Sequence, residues 1–262
     1  MRSRWSPPRP DVVLRLVVRT FSEVCLTAGT LIVLFVAYVL LWTGVKADRA
    51  MEGERDRLRD RWAAAAATQP PPPAADRPPP PAADRPPPPA AAQAPPAAAA
   101  PPQQAAEPPP RPRTAGQAFA EMYVPRFGPD WSKPVLEGTD PGVLRKGLGH
   151  YAGTAGPGEA GNFAVAGHRR TYGDPFKDVP ELRPGDEVIV RDATHRYTYT
   201  VRAAPLRTLP TEVAVVDPVP ARSPFTTPGR YLTLTTCDPE WGHSHRLVVW
   251  AELTGTGPAA PG

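Results

Sequence analysis

Tyr231-Leu-Thr-Leu-Thr-Thr-Cys237-Asp238-Pro239, followed after a short polar loop by Arg246-Leu-Val-Val-Trp-Ala-Glu-Leu253, decides how this 262-residue chain folds. Both runs are β-branched or alternate apolar residues with threonine, a pattern of strands rather than helices. Asp238-Pro239 is a turn signal, so the runs read as a hairpin with Asp238–His245 as its loop. In that register Cys237 and Arg246 face each other at the closing pair, on one face of the sheet, with Cβ atoms about 5 Å apart. A guanidinium beside a thiol can lower the thiol pKa or hold a developing oxyanion.

Working outward, Gly161–Gly167, Glu187–Arg191 and Tyr197–Ala203 carry the same strand character between Gly, Pro and Asp breaks, and such runs begin after Val143. Asp174–Leu182 offers the one short helical turn. The chemistry-bearing domain therefore reads as all-β, a sandwich or a closed barrel.

Charge and cysteine content narrow the function classes. The whole chain carries a net +4, but residues 121–253 hold 15 Lys and Arg against 16 Asp and Glu. The folded part is not basic, so nucleic-acid binding loses its electrostatic basis. Only two cysteines occur, and Cys25 lies in an apolar run, so there is no disulfide framework.

The N-terminal half is organised differently. Residues 1–23 read as a cytoplasmic segment. Val24–Val45 is uncharged over 22 residues, a helix of about 33 Å that suits a single-pass anchor with Trp42 at an interface. Basic residues flank it on both sides: Arg2, Arg4, Arg9, Arg15 and Arg19 before, Lys46, Arg49, Arg55, Arg57, Arg59 and Arg61 after. The orientation expected is N-terminus inside, with the downstream domain extracellular. Residues 46–68 read as a charged helical stalk. Residues 69–113 form a Pro/Ala-rich linker: 20 of the chain's 40 prolines lie between Pro70 and Pro112, and Pro70–Arg77 repeats as Pro78–Arg85. Such sequence does not bury a core and acts as an extended spacer, here one that would carry the domain away from the bilayer. Residues 114–254 make the catalytic domain and 255–262 a C-terminal tail.

Common signatures are missing. Gly147-x-Gly149-x-x-x-Gly153 is too long for a dinucleotide fingerprint, and Gly-x-Ser-x-Gly, phosphate-loop and His-Glu-x-x-His motifs do not occur. A nucleophilic Cys237 needs a proton partner. His168 ends the strand Phe163-Ala-Val-Ala-Gly167 and leads Arg169-Arg170, whereas His243 and His245 fall in the hairpin loop and His150 and His195 carry no signal of their own. Two other readings use the same residues: a zinc site from Cys237, His243, His245 and His168, and a non-catalytic wall-binding module.

Three separated motifs then resemble one family in order and spacing: Gly161-Asn-Phe-Ala-Val-Ala-Gly-His168-Arg169, Thr235-Thr-Cys237, and Arg246-Leu-Val-Val. They resemble the sortases, membrane-anchored cysteine transpeptidases of Gram-positive bacteria, over about Leu136 to Leu253. The segment from Leu148 to Asn162 is most like class E, the actinobacterial housekeeping type. The resemblance implies a closed eight-stranded β-barrel with short helices. It implies Cys237 as nucleophile, His168 as general acid/base and Arg246 as oxyanion or substrate support, with Tyr151 and Thr236 contacting substrate. It implies no metal and no cofactor. The expected substrates are secreted proteins bearing a Leu-Ala-x-Thr-Gly or Leu-Pro-x-Thr-Gly sorting signal, cut between Thr and Gly and joined to a peptidoglycan or lipid II amine at the cell membrane. A pilus-assembling sortase would use a pilin lysine amine instead.

Overall fold

β8 (Arg230–Asp238) and β9 (His245–Pro258) form the expected hairpin, paired from Tyr231↔Glu252 to Asp238↔His245. The computed structural model describes residues 10–68 and 113–259, so all of the expected linker except Arg113 lies outside the described residues. The ladder runs one pair further than the sequence reading, which gave Asp238 and His245 to the loop. β9 also continues through Pro258, so residues that read as a C-terminal tail belong to the sheet.

Seven further strands complete that sheet: β1 (Ala118–Tyr123), β2 (Ser132–Glu137), β3 (Leu148–His150), β4 (Gly161–Ala166), β5 (Glu187–Arg191), β6 (His195–Val201) and β7 (Leu206–Thr208). Their neighbour order is β6-β5-β1-β2-β3-β4-β8-β9, and β9 pairs again with β6, so eight strands close into a barrel. β7 lies along the first part of β9 as a short ninth. β2–β3 and β4–β8 are parallel. The barrel is filled by alternate residues, among them Phe163 and Val165 of β4, Leu232 and Leu234 of β8, and Leu247 and Val249 of β9. Outside it, Val248 and Trp250 pack with Val215 in the segment between β7 and β8, and Trp250 Nε1 donates to the Val215 carbonyl at 3.2 Å. β9 is apolar on both faces because both are covered.

The sheet starts earlier than the expected Val143. β1 carries no clear strand pattern because Ala-Phe-Ala-Glu-Met-Tyr mixes helix formers with a charge, β2 because Pro134 interrupts it, and β3 because three residues around Gly149 are too few. Beside the expected turn at Val179–Glu181, single turns also occur at Pro125–Phe127 and Val213–Val216, and α2 (Pro141–Leu144) is a further one.

Helix α1 (Pro10–Thr68) is continuous. Its stretch Leu14–Tyr38 is long and apolar enough to cross a membrane and overlaps the expected anchor. The charged part beyond it is helical, but one stripe is covered rather than solvated. Ala47, Met51, Glu54 and Leu58 are buried at helical spacing, and Leu58 with Trp62 packs on Ala118, Leu136 and Val143. The stripe hid in the sequence because charges separate its apolar members. Glu121 of β1 is fully buried, and its carboxylate meets Arg55 Nε at 2.9 Å, off hydrogen-bond alignment, Arg59 Nη2 at 3.1 Å and the Tyr123 hydroxyl. Arg61 Nη2 donates to the Ala118 carbonyl at 2.7 Å.

Removing the partners of a buried charge costs about 3–5 kcal/mol. Arg55→Gln with Arg59→Gln is expected at the low end of that range, since Tyr123 still bonds Glu121, and a chemical-denaturation midpoint unchanged from the parent would refute the pairing's importance.

Candidate active site

Two registers bring three sequence-distant residues to neighbouring strand ends. Parallel β4 and β8 pair Ala166 with Thr235, so His168 follows just past the end of β4, next to the end of β8 that carries Cys237. The antiparallel β8–β9 ladder pairs Cys237 with Arg246. Cys237 and Arg246 have the parity opposite the barrel-filling residues, so they fall on the outer face, and His168 lies just beyond the neighbouring end of β4.

Local bonds hold His168 there. The Gly167 N–H donates to the Thr235 carbonyl at 3.1 Å, and the His168 carbonyl accepts from the Phe176 N–H at 2.9 Å. Gly167 has to be glycine, because a Cβ there would lie 2.5 Å from the Phe176 ring. The imidazole is half-buried with its ring 5.0 Å from that of Tyr172. His168 Nε2 is buried and makes no hydrogen bond within the described residues. Such unsatisfied atoms cost stability and concentrate where chemistry is done. Burial, and secondarily the positive charge of Arg145, hold the imidazole below its ordinary pKa.

The Cys237 end of β8 is clamped from both sides. Asp238 takes Arg169 Nη1 at 2.5 Å and Arg207 Nε at 2.7 Å, and Arg169 also donates to the Cys237 carbonyl at 3.3 Å. Arg170 pairs with Glu240 and sits over Trp241, tying the segment after His168 to the hairpin loop. Arg246 Nη1 donates to the carbonyls of His243 and His245 at 3.1 and 3.0 Å, which fixes the guanidinium at the loop's base.

The two expected substrate contacts separate. The Tyr151 N–H donates to the Ala164 carbonyl, and its hydroxyl lies 2.9 Å from Thr235 Oγ1, on the same face as Cys237. Thr236 shares parity with Leu232 and Leu234, is buried, and donates its hydroxyl to the Gly167 carbonyl at 2.8 Å. Its side chain ties β8 to β4 instead of lining the outer face.

Other residues here were missed. Buried His150 meets Glu137 through Nδ1 at 2.7 Å, while Nε2 meets Thr154 Oγ1 at 2.9 Å and the Ala155 carbonyl at 3.0 Å. This network fixes the segment beginning at Tyr151. Neither His150 nor Glu137 belongs to a local motif, so no signal marked the pair. Arg169 could have been found, as it follows His168 directly. Among the described residues no group of three or more His, Cys, Asp and Glu side chains converges to hold a metal.

Residues 122–254 match the Sortase domain family. The chain belongs to the sortase family. Sortase SrtE1 of Streptomyces coelicolor is 33% identical over 251 residues, 93% of this chain and 59% of that protein. This sortase thus spans under two thirds of that relative's length. Among solved structures, sortase E from Streptomyces avermitilis is 61% identical, covering 55% of this chain and 93% of that one, with a TM-score of 0.53. Sortase E1 from Streptomyces coelicolor, solved with a tripeptide in its active site, is 40% identical over 56% of this chain and 94% of its own, with a TM-score of 0.52. The likeness to class E members agrees with the Leu148–Asn162 segment, and the eight-stranded barrel is the fold expected of the family.

Proposed function

We propose that this sortase is a single-pass, membrane-anchored cysteine transpeptidase that cuts a Leu-Ala-x-Thr-Gly or Leu-Pro-x-Thr-Gly signal between Thr and Gly and passes the Thr carboxyl to a peptidoglycan-type amine. The N-terminus is inside and the barrel outside. The observation that carries the reading is the Cys237–Arg246 pair on the β8–β9 ladder with His168 just past the adjoining end of β4, in a chain of this family.

His168 takes the thiol proton as Cys237 Sγ attacks the Thr carbonyl carbon. The C–S bond forms, the C–N bond to Gly breaks, and His168 gives that proton to the leaving amine. In the second half an incoming amine attacks the thioester, loses a proton to His168, and releases the thiolate, which His168 reprotonates. Arg246 holds the carbonyl oxygen as it gains charge. Incubating the full chain with both peptides and an amine acceptor, then weighing the products, tests cleavage, preference and transfer together. Peptides that stay intact would overturn the reading.

A base must be unprotonated to act, and burial keeps His168 unprotonated to lower pH than a free imidazole. The acid limb of kcat/KM is therefore expected below about 6.5, the ordinary histidine value. A limb above it would show that an anionic neighbour, not burial, sets the ring.

Selectivity between the two signals turns on one atom. Alanine keeps an amide N–H that proline lacks, and the Tyr151 hydroxyl is held on the site face by Thr235. Losing one such bond is worth about 0.5–1.5 kcal/mol, up to about tenfold. Tyr151→Phe is expected to narrow the preference for the alanine peptide in direct competition. An unchanged product ratio would leave the ring, not the hydroxyl, as the contributing part.

A further inference from the structure

Three successive residues just after His168 hold positive φ: Tyr172 at 54°, Gly173 at 78° and Asp174 at 50°. Only glycine enters that region readily, so two side-chain-bearing residues stay there because their surroundings over-determine them. On one side the Tyr172 ring packs on the His168 ring, and the Arg145 guanidinium lies 5.3 Å from its centroid. On the other side is α1. A Cβ built on Gly173 would lie 2.5 Å from Met51 Cε and 2.7 Å from Asp48 Oδ1, so the helix presses directly on the loop.

The helix is firmly seated at that point. Met51 is buried, Asp48 faces Lys133 at 3.8 Å, Glu54 faces Lys146 at 3.9 Å, and buried Glu121 meets Arg55 and Arg59. Met51 is six residues past Val45, the end of the uncharged run, so the contact lies about 9 Å along the axis from it.

We propose that the stretch of α1 from Ala47 to Trp62 is a working part of the catalytic unit, bracing the Tyr172–Asp174 loop through Met51 and so positioning His168. Met51 and Tyr172 are positioning residues, and the inference rests on His168 being the acid/base.

The test uses the full chain in phospholipid nanodiscs, with kcat and KM measured for the Leu-Ala-x-Thr-Gly peptide. Amide exchange of the peptide spanning 169–177 is followed by mass spectrometry, since the Phe176 N–H bonded to the His168 carbonyl reports on the loop. Met51→Lys is expected to lower kcat about tenfold with KM within twofold, and to speed exchange in that peptide. Met51→Leu should keep the parent's values. Met51→Ala, which adds no charge, guards against misfolding and should lose kcat about threefold or more. Parental kcat in Met51→Ala or Met51→Lys overturns the brace, as does a rise in KM at constant kcat. His168→Ala separates the two readings. If it keeps the parental rate, the acid/base assignment fails; if it is inactive while the Met51 variants are parental, only the brace fails.

Discussion

Cys237→Ala is expected to abolish both peptide cleavage and amine transfer, with kcat/KM falling at least about a thousandfold, because no thioester can form. The fold should survive. Cys237 is half-buried at a strand end, and neither Arg169 nor Asp238 uses its sulfur: Arg169 bonds its carbonyl, and Asp238 is clamped through its own carboxylate. Truncating such a side chain costs about 1 kcal/mol or less, a small change in melting temperature. Turnover within tenfold of the parent in a folded variant would remove Cys237 as the nucleophile.

Arg246→Ala and His168→Ala should each lower kcat/KM by about 10²–10⁴, the range for losing an oxyanion support or a proton carrier. Arg246 offers the sharper test. One of its nitrogens is fixed by the His243 and His245 carbonyls, so the planar fork has a set direction at the thiol's strand end. Lysine has a mobile point charge and no fork, so Arg246→Lys should recover no more than about tenfold over alanine. Near-parental kcat in Arg246→Lys would mean that charge alone suffices.

How much of this was legible in the sequence depends on the range of each interaction. The Cys237–Arg246 pairing was readable because a hairpin is local: a turn signal and two alternating runs set its register. His168 could be placed at a strand end from Phe163–Gly167, but its place next to the Cys237 end of β8 depends on the parallel β4–β8 ladder, which joins residues 69 apart with no local trace. The same limit concealed the Glu137–His150 network and the Asp238 clamp, where each residue alone reads as an ordinary surface charge. Thr236 and its motif neighbour Cys237 face opposite sides of the sheet, as adjacent residues in a strand do, which the short motif alone does not show. Leu58 and Arg61 of α1, before the Pro-rich segment, contact Ala118 of β1, after it, and no local pattern in either stretch shows that contact.

β9 is the last strand among the described residues, and it pairs with β6, β7 and β8. Until it forms, β6 and β8 are open edges and the arginine that faces the thiol has no place to stand. The β8–β9 hairpin is local, but the β6–β9 pairing that closes the barrel joins strands far apart in sequence, and such pairings form slowly compared with local turns. Closure of the barrel therefore waits on β9, which contributes both the β6 pairing and Arg246 opposite Cys237.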